Sequence, residues 1–191
     1  MSPSGLHGRM EAILRATPGL MRVMTTARDL ALPDWMVFSG AVYQPVVNHL
    51  TGRDLDYGIK DYDLGYFDAS DISYEAEDAV IRRAAAAFEP PLREMVEVRN
   101  QARVHLWFEE RFGEPYSPLR DTAEALSRFT STMFSVGARL EADGAMTLVA
   151  PFGLEDLFDL KLRPNPTRRT AGFARRAEAA RRRWPELEIV G

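Results

Sequence analysis

The sequence predicts an α+β protein in which a small mixed β-sheet is flanked by helices, with an added C-terminal hairpin and helices. Three observations carry this expectation. Short apolar runs of strand type alternate with amphipathic helical stretches over residues 18–108. Asp143-Gly144, set between apolar stretches at 135–140 and 146–150, is a strong hairpin signal. Finally, 191 residues that are 46% hydrophobic and 27% charged have the composition of a globular domain able to bury a core. We therefore expect one domain over 1–191, with its core at 18–108 and a hairpin and helical elaboration at 109–191.

Thr17 is the expected cap of a helix over 18–31, with Pro18 in its first turn. Leu20, Met21, Val23, Met24, Ala27 and Leu30 fall broadly on one face. Pro33 and Asp34 break it. Trp35-Met36-Val37-Phe38 is a short buried-strand run that stops at Ser39-Gly40. A helix over 41–50 should follow, with Pro45 tolerable only near its start, because proline lacks an amide hydrogen and crowds the preceding turn. After a polar loop at 51–58, the aromatic-rich stretch 60–68 reads as one strand, on which Asp61 and Asp63 share a face. Ser73 caps the next helix and places Glu75, Glu77 and Asp78 at the positive end of its dipole. Val80, Ile81, Ala84, Ala85 and Phe88 form its buried stripe, and Pro90-Pro91 ends it. Val96-Glu97-Val98-Arg99 alternates as a strand with one wet face does, and Asn100 opens either a helix over 101–108 or more strand. Beyond the hairpin, 153–160 reads as a short helix, Pro164-Asn165-Pro166 as a stop shaped by Asn165, and 172–183 as an arginine-studded terminal helix.

The absence of cysteine excludes a disulfide framework, thiolate-ligated zinc and a thiol nucleophile, and suits a reducing compartment. No apolar run approaches the roughly 18 residues of a membrane span, so a soluble cytoplasmic protein is expected. Lys60 and Lys161 are the only lysines, so the positive charge is nearly all guanidinium, the better fork for carboxylate or phosphate oxygens. Two aspartates one residue apart on a strand repel each other unless a cation or shared proton fills the gap. A hard divalent metal is the natural occupant. An EF-hand loop starting at Asp61 is excluded, because Tyr66 and Ile72 stand where glycine and glutamate are required. A phosphohydrolase wants a fully apolar strand before its nucleophilic aspartate, and Tyr57-Gly58-Ile59-Lys60 supplies only part of one. Solvated aspartates at a strand end are the plain alternative.

Order raises the pair above a lone motif: apolar strand, Ser-Gly turn, helix, Asp-x-Asp strand, helix, then a strand with the isolated acid Glu97. In this the sequence resembles the nucleotidyltransferase superfamily that shares the DNA polymerase β palm. It is similar, more closely, to a bacterial family of small uncharacterised nucleotidyltransferase-like proteins. The resemblance spans about residues 35–166. It is carried first by Ser39-Gly40-Ala41-Val42, Gly58-Ile59-Lys60-Asp61-Tyr62-Asp63 and Ser73-Tyr74-Glu75-Ala76-Glu77-Asp78. Val96-Glu97-Val98-Arg99-Asn100-Gln101-Ala102-Arg103-Val104-His105-Leu106-Trp107, Pro151-Phe152-Gly153-Leu154-Glu155-Asp156-Leu157-Phe158 and Arg163-Pro164-Asn165-Pro166 complete it. The superfamily usually reads Gly-Ser at the turn, a shorter stretch than the twenty residues between Gly40 and Asp61, and aspartate as third acid.

The resemblance implies a mixed sheet of the polymerase β palm type, with Mg2+ or Mn2+ on Asp61, Asp63 and Glu97. It implies a nucleoside triphosphate whose β- and γ-phosphates rest on Ser39 and the amides of Gly40 and Ala41. Transfer of a nucleoside monophosphate to an acceptor hydroxyl would follow, with Glu97 completing the metal shell or taking the proton. Lys60 is a further candidate phosphate contact, although strand alternation points it away from Asp61. Arg99 and Arg103 reach the triphosphate only if they share the face of Glu97; otherwise they pair with nearby carboxylates. His105 is a proton carrier or, on the plainer reading, a hydrogen-bonded structural histidine.

The arginines at 168, 169, 175, 176 and 181–183 invite nucleic acid, although a charged helix is usually a solvated face. The competing reading is a catalytically idle module of the same fold that binds RNA or an acidic partner through 168–183. The net charge of -4 conceals an asymmetry: residues 54–78 hold nine acids and one base, and residues 161–183 hold nine bases and one acid.

Overall fold

The computed structural model describes residues 5–168 and 172–191; Arg169, one of the terminal arginines, lies outside them. The chain opens with a helix that the sequence reading left unassigned, α1 (Leu6–Arg15), which buries Met10, Ile13 and Leu14. α2 (Pro18–Leu30) follows at once and buries Leu20, Val23, Met24 and Ala27. Thr17 occupies the position before α2, but its hydroxyl donates backwards to the Ile13 carbonyl (3.0 Å) and ties the two helices together instead of capping the second.

β1 (Met36–Phe38) leads through Ser39 into α3 (Gly40–Leu50), whose residues 41–48 are all buried. Pro45 sits well inside α3 and deprives the Ala41 carbonyl of its usual donor. Burial on every side outweighs that local penalty. β2 (Tyr62–Tyr66) is shorter than the aromatic stretch suggested, so Lys60 and Asp61 precede the strand. α4 (Tyr74–Ala87) is capped as expected, with the Ser73 hydroxyl accepting from the Ala76 amide at 3.2 Å.

The short helix α5 (Leu92–Met95) runs into β3 (Val96–Asn100). The Asn100 side chain then caps a 3-10 helix (Gln101–Leu106), an outcome between the expected α-helix and continued strand. α6 (Phe108–Phe112) and α7 (Thr122–Leu126) precede the hairpin of β4 (Gly137–Leu140) and β5 (Met146–Val149), turned at Asp143-Gly144 with Gly144 at φ 83°. α8 (Glu155–Phe158), β6 (Lys161–Leu162), α9 (Phe173–Arg183) and β7 (Glu188–Ile189) complete the chain.

Five strands form one mixed sheet in the order β3-β2-β1-β4-β5, with β2 and β3 parallel and the other pairs antiparallel. The C-terminal hairpin therefore extends the same sheet. β6 and β7 form a separate parallel pair. Strand alternation divides the sheet into two unlike faces. Val37, Tyr62, Leu64, Tyr66, Val98 and Ala138 belong to the main core with α2, α3 and α4. On the other face, Met36 and Phe38 join Leu126 in a small second cluster, which leaves the β2 and β3 portion of that face uncovered. Among the described residues, no helix is long and apolar enough to cross a membrane.

Candidate active site

The uncovered face is polar by register. Phe38 pairs with Asp63 across β1 and β2, and Asp63 pairs with Glu97 across β2 and β3, so these three side chains form one rung of the sheet. The next rung brings Gly65 beside Arg99. Phe38 lies directly over Gly65, and any side chain there would strike its ring. Asp61, one residue ahead of β2, is near enough for its charge to act on Asp63.

Asp63 is half-buried and its pKa is pushed up to about 6, first by burial and then by the charges of Asp61 and Glu97. Arg176 and Arg99 oppose this without cancelling it. The three acids and two arginines thus share one electrostatic neighbourhood. Among the described residues, however, no three acidic or histidine side chains are arranged to hold a metal ion as they stand.

Two cavities with different linings border the carboxylates. The larger, about 770 Å³, is bordered by Asp63, Glu97 and Arg99. The smaller, about 400 Å³, is bordered by Ser39, Lys60 and Asp61. Lys60 and Asp61 share a cavity because β2 begins only at Tyr62, so strand alternation does not yet separate them. Arg175 and Arg176 of α9 border both cavities.

Ser39 turns the chain from β1 into α3 at φ 55° and ψ -123°, an unusual backbone conformation for a residue with a side chain. Its own amide donates to the Val136 carbonyl (3.0 Å), and its carbonyl accepts from Val42 and Tyr43. The amides of Gly40 and Ala41, at the helix start, have no intrahelical acceptor and carry the positive end of the dipole. Ala41 itself is buried, so only its backbone is available to a ligand. Gln44, one turn into α3, also borders the smaller cavity, and its buried Oε1 has no partner among the described residues.

The long stretch between Gly40 and Asp61 has a structural use. Asn48 Nδ2 donates to the carbonyls of Leu55 (3.0 Å) and Tyr57 (2.8 Å), while its Oδ1 accepts from Trp184 Nε1 (2.7 Å). Arg183 donates to the Gly58 carbonyl at 3.1 Å. The loop over 51–58 is thereby pinned between α3 and the end of α9, which seats Arg175 and Arg176 against the acidic strand. Asn165 does shape its turn, but it also donates to the carbonyls of Ser127 and Phe129 (2.7 Å each), holding the segment that carries Arg128 and Thr130 to the larger cavity.

Arg103 does not reach the site. It is buried against Glu77, donates to the Ile72 carbonyl at 2.8 Å and borders neither cavity, because the 3-10 helix turns it away from the face of Glu97. His105 also borders neither cavity, and among the described residues its buried Nδ1 has no hydrogen-bond partner of the kind a structural histidine would have. The sequence reading overlooked the ring cluster of Trp107, Phe108, Phe112 and Tyr116 in the larger cavity. Four aromatic residues within ten positions, interleaved with Arg111, were the available signal.

Comparison with known proteins bears on this geometry. A family model described as nucleotidyltransferase matches residues 25–189. A solved structure, described as an NMR structure that reveals a CCA-adding enzyme head domain, is similar in fold with a TM-score of 0.76. It is 22% identical, over 100% of both chains. No curated protein matches.

Proposed function

Because the chain belongs to the nucleotidyltransferase family, we propose that it moves a nucleoside monophosphate from a nucleoside triphosphate to an acceptor hydroxyl, with Mg2+ or Mn2+ held by Asp61, Asp63 and Glu97. The observation that carries this reading is the rung of Asp63 and Glu97, with Asp61 beside it, open to a cleft bordered by arginines. The donor set suits a hard cation: it is all carboxylate oxygen, and the charges of Asp61 and Glu97 add to burial in raising Asp63 to about 6. A divalent ion bound there supplies charge neutralisation at the triphosphate and alignment for in-line attack.

The protein's own groups do the rest. The Ser39 hydroxyl and the first amides of α3 receive the β- and γ-phosphates, as helix N-termini receive anions generally. Lys60, Arg175 and Arg176, on the same cavity, offset the phosphate charge. The acceptor oxygen bonds to the α-phosphorus as the bond to the bridging oxygen breaks, and pyrophosphate departs on the Ser39 side. Glu97 is exposed on the cleft side, where it completes the donor set or takes the acceptor proton. The fold neighbour described as a CCA-adding enzyme head domain makes nucleic acid the first acceptor class to try.

The test is incubation with radiolabelled nucleoside triphosphates, magnesium and a cell extract. Label should move to an acceptor with the parent protein and not with Asp63→Ala. Calorimetry that finds no magnesium-dependent nucleotide binding, with Asp61→Ala and Asp63→Ala indistinguishable from the parent, would remove the reading.

A further inference from the structure

The larger cavity does not end at the carboxylates. Its outer wall is the ring cluster: Phe108 lies 4.3 Å from Tyr116 and 4.7 Å from Phe112 between ring centroids, and Trp107 lies 6.1 Å from Phe108. Guanidinium groups cover these rings. Arg168 stands 5.1 Å over Phe108 and Arg111 5.6 Å over Phe112. The cluster stands outside the main core, α6 buries none of its five residues, and Phe112 is 45% exposed. Rings kept at the surface of a short helix, with cations above them, are poorly explained as packing.

We propose that this wall is the acceptor subsite, where unstacked bases at the 3′ end of a single-stranded nucleic acid lie on the rings and their phosphates meet the arginines. The assignment rests on the nucleotidyltransferase reading for its direction. In-line displacement puts the attacking hydroxyl and the departing pyrophosphate on opposite sides of the α-phosphorus. With the triphosphate tail on the Ser39 side of Asp61 and Asp63, the acceptor enters from the side of Asp63 and Glu97, which is the cavity walled by the rings. Its chemistry is specific: flat apolar surface interleaved with guanidinium binds stacked bases and their backbone regardless of sequence. A protein side chain offering a lone hydroxyl has no use for four rings. Arg111, Arg128, Arg168, Arg175 and Arg176 border the cavity, and although Arg168 and Arg128 also pair with Glu114 and Glu124, their guanidinium carbons stand 5.4 Å and 5.8 Å over the Tyr116 ring.

Binding of a short fluorescein-labelled RNA oligonucleotide of mixed sequence to the full chain, without nucleotide or metal, tests this by anisotropy across a salt series. Phe112→Ala should weaken binding roughly 5- to 150-fold, the worth of one stacked base, without changing the salt slope. Phe112→Tyr should restore it. Arg111→Ala should weaken binding and lower the slope by about one. Because Trp35 and Trp184 are buried while Trp107 is only partly so, oligonucleotide binding should also quench a fluorescence component that Trp107→Phe removes. The proposal is overturned if the parent fails to bind the oligonucleotide at low salt, or if Phe112→Ala binds it as the parent does. It is overturned too if Phe112→Ala weakens magnesium-ATP instead, which would make the wall the seat of the donor's base. A parent that binds oligonucleotide through Phe112 but no nucleoside triphosphate would refute the donor reading and leave this surface standing.

Discussion

Replacing Asp63 with asparagine keeps the size and one acceptor oxygen of the side chain and removes its charge. In the folded protein burial, Asp61 and Glu97 raise the Asp63 pKa from an ordinary 3.8 to about 6. A raised carboxylate pKa means that ionisation opposes folding: the cost is absent below the unfolded value, grows as pH climbs from about 4 to 6, and is complete above that. Roughly two units at about 1.4 kcal/mol each set an upper bound near 3 kcal/mol at neutral pH. Because one edge of the side chain faces the open cleft, solvent screening brings the expectation to about 1–3 kcal/mol. Asp63→Asn should therefore be more stable than the parent by that amount near pH 7 in the presence of a chelator, and equal to it near pH 4. Urea unfolding of both proteins across that range measures the difference, in which the titration of acids remote from Asp63 cancels. Added magnesium should then stabilise the parent and leave the variant unchanged. A variant less stable than the parent at neutral pH, or a difference independent of pH, would refute the argument, because it would mean that Arg176 and Arg99 more than compensate the charge.

Two further outcomes follow from neighbouring residues. Ser39→Gly should stabilise the protein by roughly 0.5–1 kcal/mol in thermal unfolding, because glycine adopts φ 55° without strain, while weakening magnesium-nucleotide binding through loss of the hydroxyl. Glu77→Ala should destabilise by roughly 3–5 kcal/mol, since it leaves the buried Arg103 guanidinium without its partner and the Asn100 amide without its acceptor. At a temperature where that variant is folded, its nucleotide affinity should equal the parent's, as expected of a pair remote from both cavities.

Much of the fold is legible along the chain because its signals are local. The strand at Met36–Phe38, the capped helix after Ser73, the alternation around Glu97 and the turn at Asp143-Gly144 each need only a few neighbouring residues. Apart from α1, what escaped was short or out of phase. α5, α6 and α7 have four or five residues, below any length at which intrinsic propensity sustains a helix. Lys60 was assigned to the wrong side because its facing depends on where β2 begins, and Arg103 was retained because a 3-10 turn replaced a strand. The ring cluster was passed over because aromatic residues near a strand end ordinarily read as core.

The residue types of the acidic site, and the close spacing of Asp61 and Asp63 along the chain, are properties of the sequence by itself. So is the separation of charge between residues 54–78 and 161–183. Whether those segments meet was decided by tertiary structure alone. Electrostatic energy depends on distance through space, and the distance between Asp63 and Arg176 is set by Asn48, Trp184 and the loop pinned between them. The same long-range packing divides the approach to the carboxylates into two cavities and sets the arginines of α9 at the border of both, so that a formal charge of -4 resolves into an acidic strand with a basic helix beside it.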